Sequence, residues 1–351
     1  MPLEIEAYNL EEECHRDYVG YTEHAAYSTK TFDDFRFPSR MKRNDQLFRY
    51  VDWYDEQDLS RLDPGLFFRD ASLETNFTVD EIQLLSRISN AVLYLTEKYC
   101  KDRVGVYFNH QGAVGMFRVV QAISSLFKRD AINVFEVGPG CGYTGSLIGL
   151  AGHNYASYDV AQGYYIWQSR LLEELFKSEF TEFAANPGAS FDKVGRVSHI
   201  PWWVYMTIYK NMPVKADVVV SNANLGEMNL ASLRYMLRVS NLMLQDSDIG
   251  LFLFANPGCC HINSHLQIEA ELEKAGFERF LSENVYGYAA KDKSIPTDVI
   301  EQMEKAIPLY DPSGLGKTFP IRDFIDFENA ELPDEFYFNS FLHDWPNLSG
   351  S

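Results

Sequence analysis

Basic residues and cysteines are scarce in this chain, and long apolar runs are missing. Its 351 residues carry 31 Lys and Arg against 50 Asp and Glu, a formal net charge of −19. A surface that acidic repels phosphate backbones and anionic lipid, which argues against nucleic acid or a membrane as the main partner. The five cysteines, Cys14, Cys100, Cys141, Cys259 and Cys260, are odd in number and form no Cys-x-x-Cys pair. They suggest neither a disulfide framework nor a thiolate metal site, and the expectation is a reduced, cytoplasmic protein. Apolar runs such as 249–255 are too short to span a bilayer. Residues 1–6 hold neither the basic nor the apolar part of a secretory signal. Internal repeats and low-complexity tracts are also missing.

What is present is an ordinary globular composition, 46% hydrophobic and 23% charged. Aromatics make up 15%, which suits flat-walled pockets as well as a bulky core. Residues 1 to about 75 are acidic, aromatic and irregular. From Thr78 the pattern turns helical. Thr78-Val79-Asp80-Glu81 has the form of a capping box, and Ile82, Leu85, Ile88, Val92 and Leu95 recur at helical spacing. A second helix is expected over 113–127. From Ile132 onward, apolar strands at 132–137, 155–160, 194–200, 216–221 and 249–255 alternate with helices at 143–151, 164–180, 230–244 and 265–275. Further strand signals lie near 280–288 and 335–341. This alternation predicts an α/β fold with a doubly wound, mostly parallel, seven-stranded sheet. The expected division is an irregular and helical lid or substrate region over 1–129, then the doubly wound domain over 130–351. A proline-bearing insertion interrupts that domain near 290–330.

The most informative stretch follows the first strand of that domain: Phe135-Glu136-Val137-Gly138-Pro139-Gly140-Cys141-Gly142-Tyr143-Thr144-Gly145. Glycines between a strand and a helix allow a tight turn and a close backbone approach to a ligand. Two patterns overlap here. Gly140-x-Gly142-x-x-Gly145 satisfies the dinucleotide fingerprint. Glu136-x-Gly138-x-Gly140-x-Gly142 instead sets a carboxylate at the strand end beneath alternate glycines. A carboxylate attracts a cation and repels a pyrophosphate. Asp159 ends the second strand and suits a ribose diol under either pattern. After the fourth strand comes Ser221-Asn222-Ala223-Asn224-Leu225-Gly226-Glu227-Met228, at the edge where ligands meet an open α/β sheet.

The Glu136-x-Gly-x-Gly-x-Gly turn resembles that of class I S-adenosylmethionine-dependent methyltransferases. Over about residues 130 to 260 the chain is more loosely similar to bacterial sugar O-methyltransferases. The shared features are an Asn followed by Glu-Met after the fourth strand, the aromatic run Tyr164-Tyr165-Ile166-Trp167, and Asn256 after the fifth strand. The resemblance implies S-adenosyl-L-methionine as cofactor. Its methionine ammonium would face Glu136 over Gly138, Gly140 and Gly142, its ribose Asp159, and its adenine Val160, His199 and Ile200, with Asn222 nearby. His261 and Glu227 are candidate bases for an acceptor hydroxyl, since each can take a proton near neutrality when suitably placed. His110, Trp202, Asn224 and Asn256 are candidate substrate contacts. No metal is expected, although His261 and His265 sit four residues apart. The implied activity is methyl transfer to a small molecule, with O-methylation of a sugar or glycosylated metabolite first. C- or N-methylation of another small metabolite is the alternative, and a nicotinamide-dependent oxidoreductase the further one. A small-molecule partner is thus expected, with homodimerisation left open.

Overall fold

The computed structural model describes residues 6–10, 77–99, 107–108, 110–186, 195–206, 208, 214–222, 224–254, 263–282, 286–290, 295–306 and 319–320. Two helices lead into the sheet: α1 (Val79–Tyr99) and, after the short strand β1 (Tyr107–Phe108), α2 (His110–Leu126). The capping box forms as the sequence indicates. Glu81 N donates to Thr78 Oγ1 at 3.2 Å, and Thr78 N donates to Glu81 Oε2 at 2.8 Å. Glu81 also takes a forked pair of bonds from Arg118 of α2, at 2.6 and 2.7 Å, so one carboxylate closes the helix start and ties α1 to α2.

Then follow β2 (Asn133–Val137), α3 (Tyr143–Leu150), β3 (Asn154–Asp159), α4 (Gln162–Phe176), β4 (Phe180–Glu182), β5 (Val197–Pro201), α5 (Trp202–Tyr205) and β6 (Val218–Val220). The remaining elements are α6 (Leu230–Leu244), β7 (Leu251–Phe254), α7 (His265–Lys274), β8 (Phe277–Ser282), β9 (Tyr286–Ala290), α8 (Thr297–Ala306) and β10 (Phe319–Pro320). Eight strands lie in the order β4-β5-β3-β2-β6-β7-β9-β8, and β1 pairs separately with β10. Every pairing from β4 through β7 is parallel, while β9 runs antiparallel to both its neighbours.

This is the expected mostly parallel α/β sheet, antiparallel only at its β9 edge, with one correction: it has eight strands rather than seven. The expected helix 164–180 ends at Phe176, where Lys177 takes a positive φ of 49°, and Phe180–Glu182 then joins β5 as an extra edge strand. The single strand signal near 280–288 is a hairpin, with a register shift between Arg279 and Leu281. Part of the expected insertion at 290–330 is regular helix α8, whose Val299 is buried in the core. The signal at 335–341 lies outside the described residues.

Neighbouring strand residues face opposite sides of the sheet, and the core divides accordingly. Val134, Tyr155, Val197, Val218 and Leu251 pack with α1, α2, α3, most of α4, and α8. Phe135, Tyr158, Ile200, Val219 and Phe252 pack with α5, α6 and α7. Val218–Val220 and Leu251–Phe254 are buried at every position, as strands covered on both faces must be. Among the described residues, no helix is long and apolar enough to cross a membrane.

Candidate functional site at the carboxyl ends of the strands

The turn from β2 to α3 lies where a parallel sheet meets its ligands. Gly138, Gly140 and Gly142 have φ of 63°, 57° and 74°, in the left-handed region that glycine enters without strain. The loop is tied down by Gly138 N donating to Tyr158 O at 3.0 Å and Gly142 N donating to Pro139 O at 2.9 Å. A Cβ built on Gly140 would meet nothing within 4 Å, so the loop is open at that position, whereas at Gly142 it would meet Gln168 Cγ at 3.0 Å. The loop is therefore a cradle into which a ligand can bring its atoms against bare backbone.

Glu136 lies just below, only 2% exposed. Tyr155 Oη, on the adjacent strand, donates to its Oε2 at 2.7 Å. Burial pushes the Glu136 carboxyl up to about 7; the Tyr155 bond opposes this and the nearby Asp159 charge adds to it. Asp159 is equally buried. Its Oδ1 accepts from Ala161 N at 2.9 Å, and its Oδ2 from Gly140 N at 3.3 Å and Gln168 Nε2 at 3.1 Å. Burial raises it to about 7 as well, against the pull of those amide donors. Two buried carboxylates thus flank the glycine cradle, each poised to ionise when a cation or a set of donors arrives. Asp159 already serves the loop, so a ribose diol would have to share it with, or take it from, Gly140 and Gln168.

Around this pair lie residues that no local sequence pattern singles out. Gln168 bridges Asp159 to the loop, its Nε2 also donating to Gly140 O at 2.5 Å. Tyr8, from the helical segment 6–10, stacks on Tyr165 with centroids 4.3 Å apart, leans on Trp203 at 5.0 Å, and donates to Val160 O at 3.4 Å. Asn9 Oδ1 accepts from Gln162 Nε2 at 2.6 Å. An N-terminal segment therefore borders the edge where Val160 is half-buried. Contacts between segments this far apart in the chain leave no mark in local spacing.

At the end of β5 the candidates turn inward. His199 is wholly buried and faces α4: its Nδ1 lies 2.8 Å from Ser169 Oγ and 3.5 Å from Glu182 Oε2, and its ring stacks on Tyr165 at 3.9 Å. Ile200 packs into the core on the opposite face. Trp202 is buried, edge-on to the more accessible Trp203.

At the end of β6, Asn224 is a brace rather than an exposed contact. Its Nδ2 donates to Val137 O at 2.5 Å and its Oδ1 accepts from Ser221 Oγ at 2.5 Å, which joins the β6 loop to the start of the glycine turn. Asn263 pins the same loop by donating to Leu225 O and Met228 O. Asn222 and Glu227 are half-buried on this loop. Asn229 caps α6, its side chain accepting from Ser232 N at 2.8 Å. His110 begins α2. Its side chain lies outside the described residues, as do His261 and Asn256.

No protein-family profile matches the chain. No curated protein matches it either. Solved structures of similar outline include a TehB-like SAM-dependent methyltransferase from Corynebacterium glutamicum, at 14% identity and TM-score 0.36, covering 50% of this chain and 88% of that one. Magnesium protoporphyrin IX methyltransferase from Synechocystis is similar at 12% identity and TM-score 0.35, covering 62% and 100%. The N-methyltransferase NodS from Bradyrhizobium japonicum is similar at 13% and 0.33, covering 50% and 86%. The site's own geometry carries the functional reading that follows.

Proposed function

We propose that this chain is an S-adenosyl-L-methionine-dependent methyltransferase acting on a small molecule. One observation carries the reading: Glu136, a buried carboxylate bonded by Tyr155, stands two residues before the positive-φ glycine turn, whose space at Gly140 is open. A charge of that sign attracts the cofactor's ammonium and opposes the pyrophosphate of a dinucleotide. The residues fit the cofactor in kind. The loop offers bare backbone, Asp159 an acceptor pair for a ribose diol, and Val160 and Trp203 a partly open apolar border for a base.

Bound S-adenosyl-L-methionine supplies a methyl group activated by its sulfonium. This chain's contribution is to hold the amino-acid end of the cofactor at Glu136 and its ribose at Asp159, and to exclude water along the sheet edge. His261 and Glu227, the latter half-exposed on the β6 loop, are the candidates to accept the proton of an acceptor hydroxyl. Asn222 lies on the loop after β6 and Asn256 follows β7 in sequence; as candidate acceptor contacts, their neutral amides suit a polyol. We take O-methylation of a sugar or glycosylated metabolite as the preferred reaction, with C- or N-methylation of another small metabolite as the alternative.

Calorimetric titration with S-adenosylhomocysteine tests the assignment. Glu136→Ala and Asp159→Ala should each weaken binding by about 1–3 kcal/mol, the worth of a hydrogen bond to a charged group. Unchanged affinity in both variants would remove the assignment.

A further inference from the structure

Tyr155 and Glu136 meet because the register of β2 and β3 puts them on one face of the sheet. Tyr155 pairs with Val134, and Glu136, two residues further along β2, pairs with Ser157. Residues two apart on a strand share a face, so phenol and carboxyl lie diagonally across the two strands. The phenol spans that diagonal and donates to Glu136 Oε2 at 2.7 Å.

The phenol has little freedom to do anything else. Its backbone is tied to the strand on the far side, with Tyr155 N donating to Arg196 O at 2.9 Å. Its ring is 2% exposed and packed in the core. Helix α3 closes over it, where a Cβ on Gly145 would lie 1.9 Å from Cζ and 2.1 Å from Oη. The Ser157 hydroxyl bonds the phenol as well. A phenol has one hydrogen, and an ionised carboxylate can only accept. The Tyr155 hydrogen therefore goes to Glu136, and Ser157 donates to the phenol oxygen. This uses one of the two carboxylate oxygens; Glu136 Oε1 takes no hydrogen bond among the described residues.

We infer that Tyr155 is a positioning residue for the cofactor's ammonium, its hydroxyl holding one oxygen of Glu136 and leaving the other for the cation. The inference rests on the cofactor reading above. The Tyr155 bond also favours the ionised carboxyl, against burial and the charge of Asp159, the other ionisable group facing this pair among the described residues. Without the hydroxyl, Glu136 ionises at higher pH.

The test titrates the full chain calorimetrically with S-adenosylhomocysteine and, separately, with 5′-methylthioadenosine, which keeps the nucleoside and thioether and lacks the amino-acid end. Tyr155→Phe keeps the ring in its slot against Gly145 and removes only the hydroxyl. It should weaken S-adenosylhomocysteine binding about three- to tenfold at pH 7, the worth of one hydrogen bond, and leave 5′-methylthioadenosine binding unchanged. The deficit should be larger at pH 6 than at pH 8, because the variant carboxyl needs the higher pH to ionise. A phenol that merely packs the core gives equal losses for both ligands, or one loss at both pH values. Either pattern, or wild-type binding by the variant, overturns the positioning role. If the wild type binds neither ligand, the cofactor reading itself fails and the inference with it. Should Tyr155→Phe not fold, a crystal structure of the wild type with S-adenosylhomocysteine decides. An ammonium bonded to one Glu136 oxygen while Tyr155 holds the other sustains the inference, and any other arrangement overturns it.

Discussion

Tyr155 determines why residue 145 is glycine: a Cβ there would lie 1.9 Å from Cζ of the Tyr155 ring. That same ring carries the hydroxyl bonded to Glu136. The third glycine of the apparent dinucleotide fingerprint thus has a packing cause, close approach of α3 to β3, that is independent of any phosphate. Gly145→Ala must push the ring or the helix aside. It should cost about 1–3 kcal/mol of stability, as overpacking of a full core does, and should loosen the Tyr155–Glu136 bond. Chemical denaturation of the variant checks the first effect. Wild-type stability would show that the helix shifts freely.

Glu136 and Asp159 give the protein a defined pH response. Both carboxyls stay protonated up to about 7 in the fold, whereas in an unfolded chain they ionise near 4. Between those values unfolding releases protons, so these two groups make stability fall as pH rises from about 4 to 7. A cation arriving at Glu136 favours the ionised form. Binding of S-adenosylhomocysteine should therefore tighten as pH rises from about 6 to 8 and release protons to the medium near the lower end of that range. Calorimetry in two buffers of different ionisation enthalpy measures that release; identical heats would contradict it.

The bond network at Glu81 is a test of the fold alone. Arg118 and Glu81 are largely buried, and Glu81 also closes the start of α1. Glu81→Ala removes the forked carboxylate partner from the guanidinium together with the helix-start bond, and should cost about 1–3 kcal/mol, the worth of hydrogen bonds to a charged group. Thermal unfolding reads this directly. A drop within the range of an ordinary surface substitution would mean that α1 is held by its apolar face only.

Tyr8 offers a separate check on the N-terminal segment. It bridges Tyr165, Trp203 and Val160 O, at the edge assigned to the adenine. Tyr8→Ala should weaken S-adenosylhomocysteine binding, while Tyr8→Phe, which keeps the stack, should retain most of it. Equal binding by wild type and Tyr8→Ala would remove segment 6–10 from the site.

The legible and illegible parts of this structure differ in physical kind. The capping box at Thr78 and Glu81, the apolar strands and the glycine turn are local, so spacing alone exposes them. Strand order, the extra strand at Phe180–Glu182 and the reversal of β9 depend on pairing between distant segments. The same holds at the site. Glu136 and the three glycines are close in sequence and stand out, whereas Tyr155 and Gln168 reach them only through the fold, and Tyr8 reaches Val160 in the same way. Asn224 shows the converse limit. A polar residue on a ligand-facing loop looks like a substrate contact, but here its amide braces Val137 and Ser221. His199 likewise sits at a strand tip in sequence, and the register with Ser157 and Glu182 turns it toward α4.

Which ligand Glu136 admits beneath the glycine turn is decided by a paired titration of the wild-type protein. S-adenosylhomocysteine and NADH are titrated separately under the same conditions. Saturable binding of the first and none of the second is the expected result; binding of NADH without S-adenosylhomocysteine would contradict the assignment.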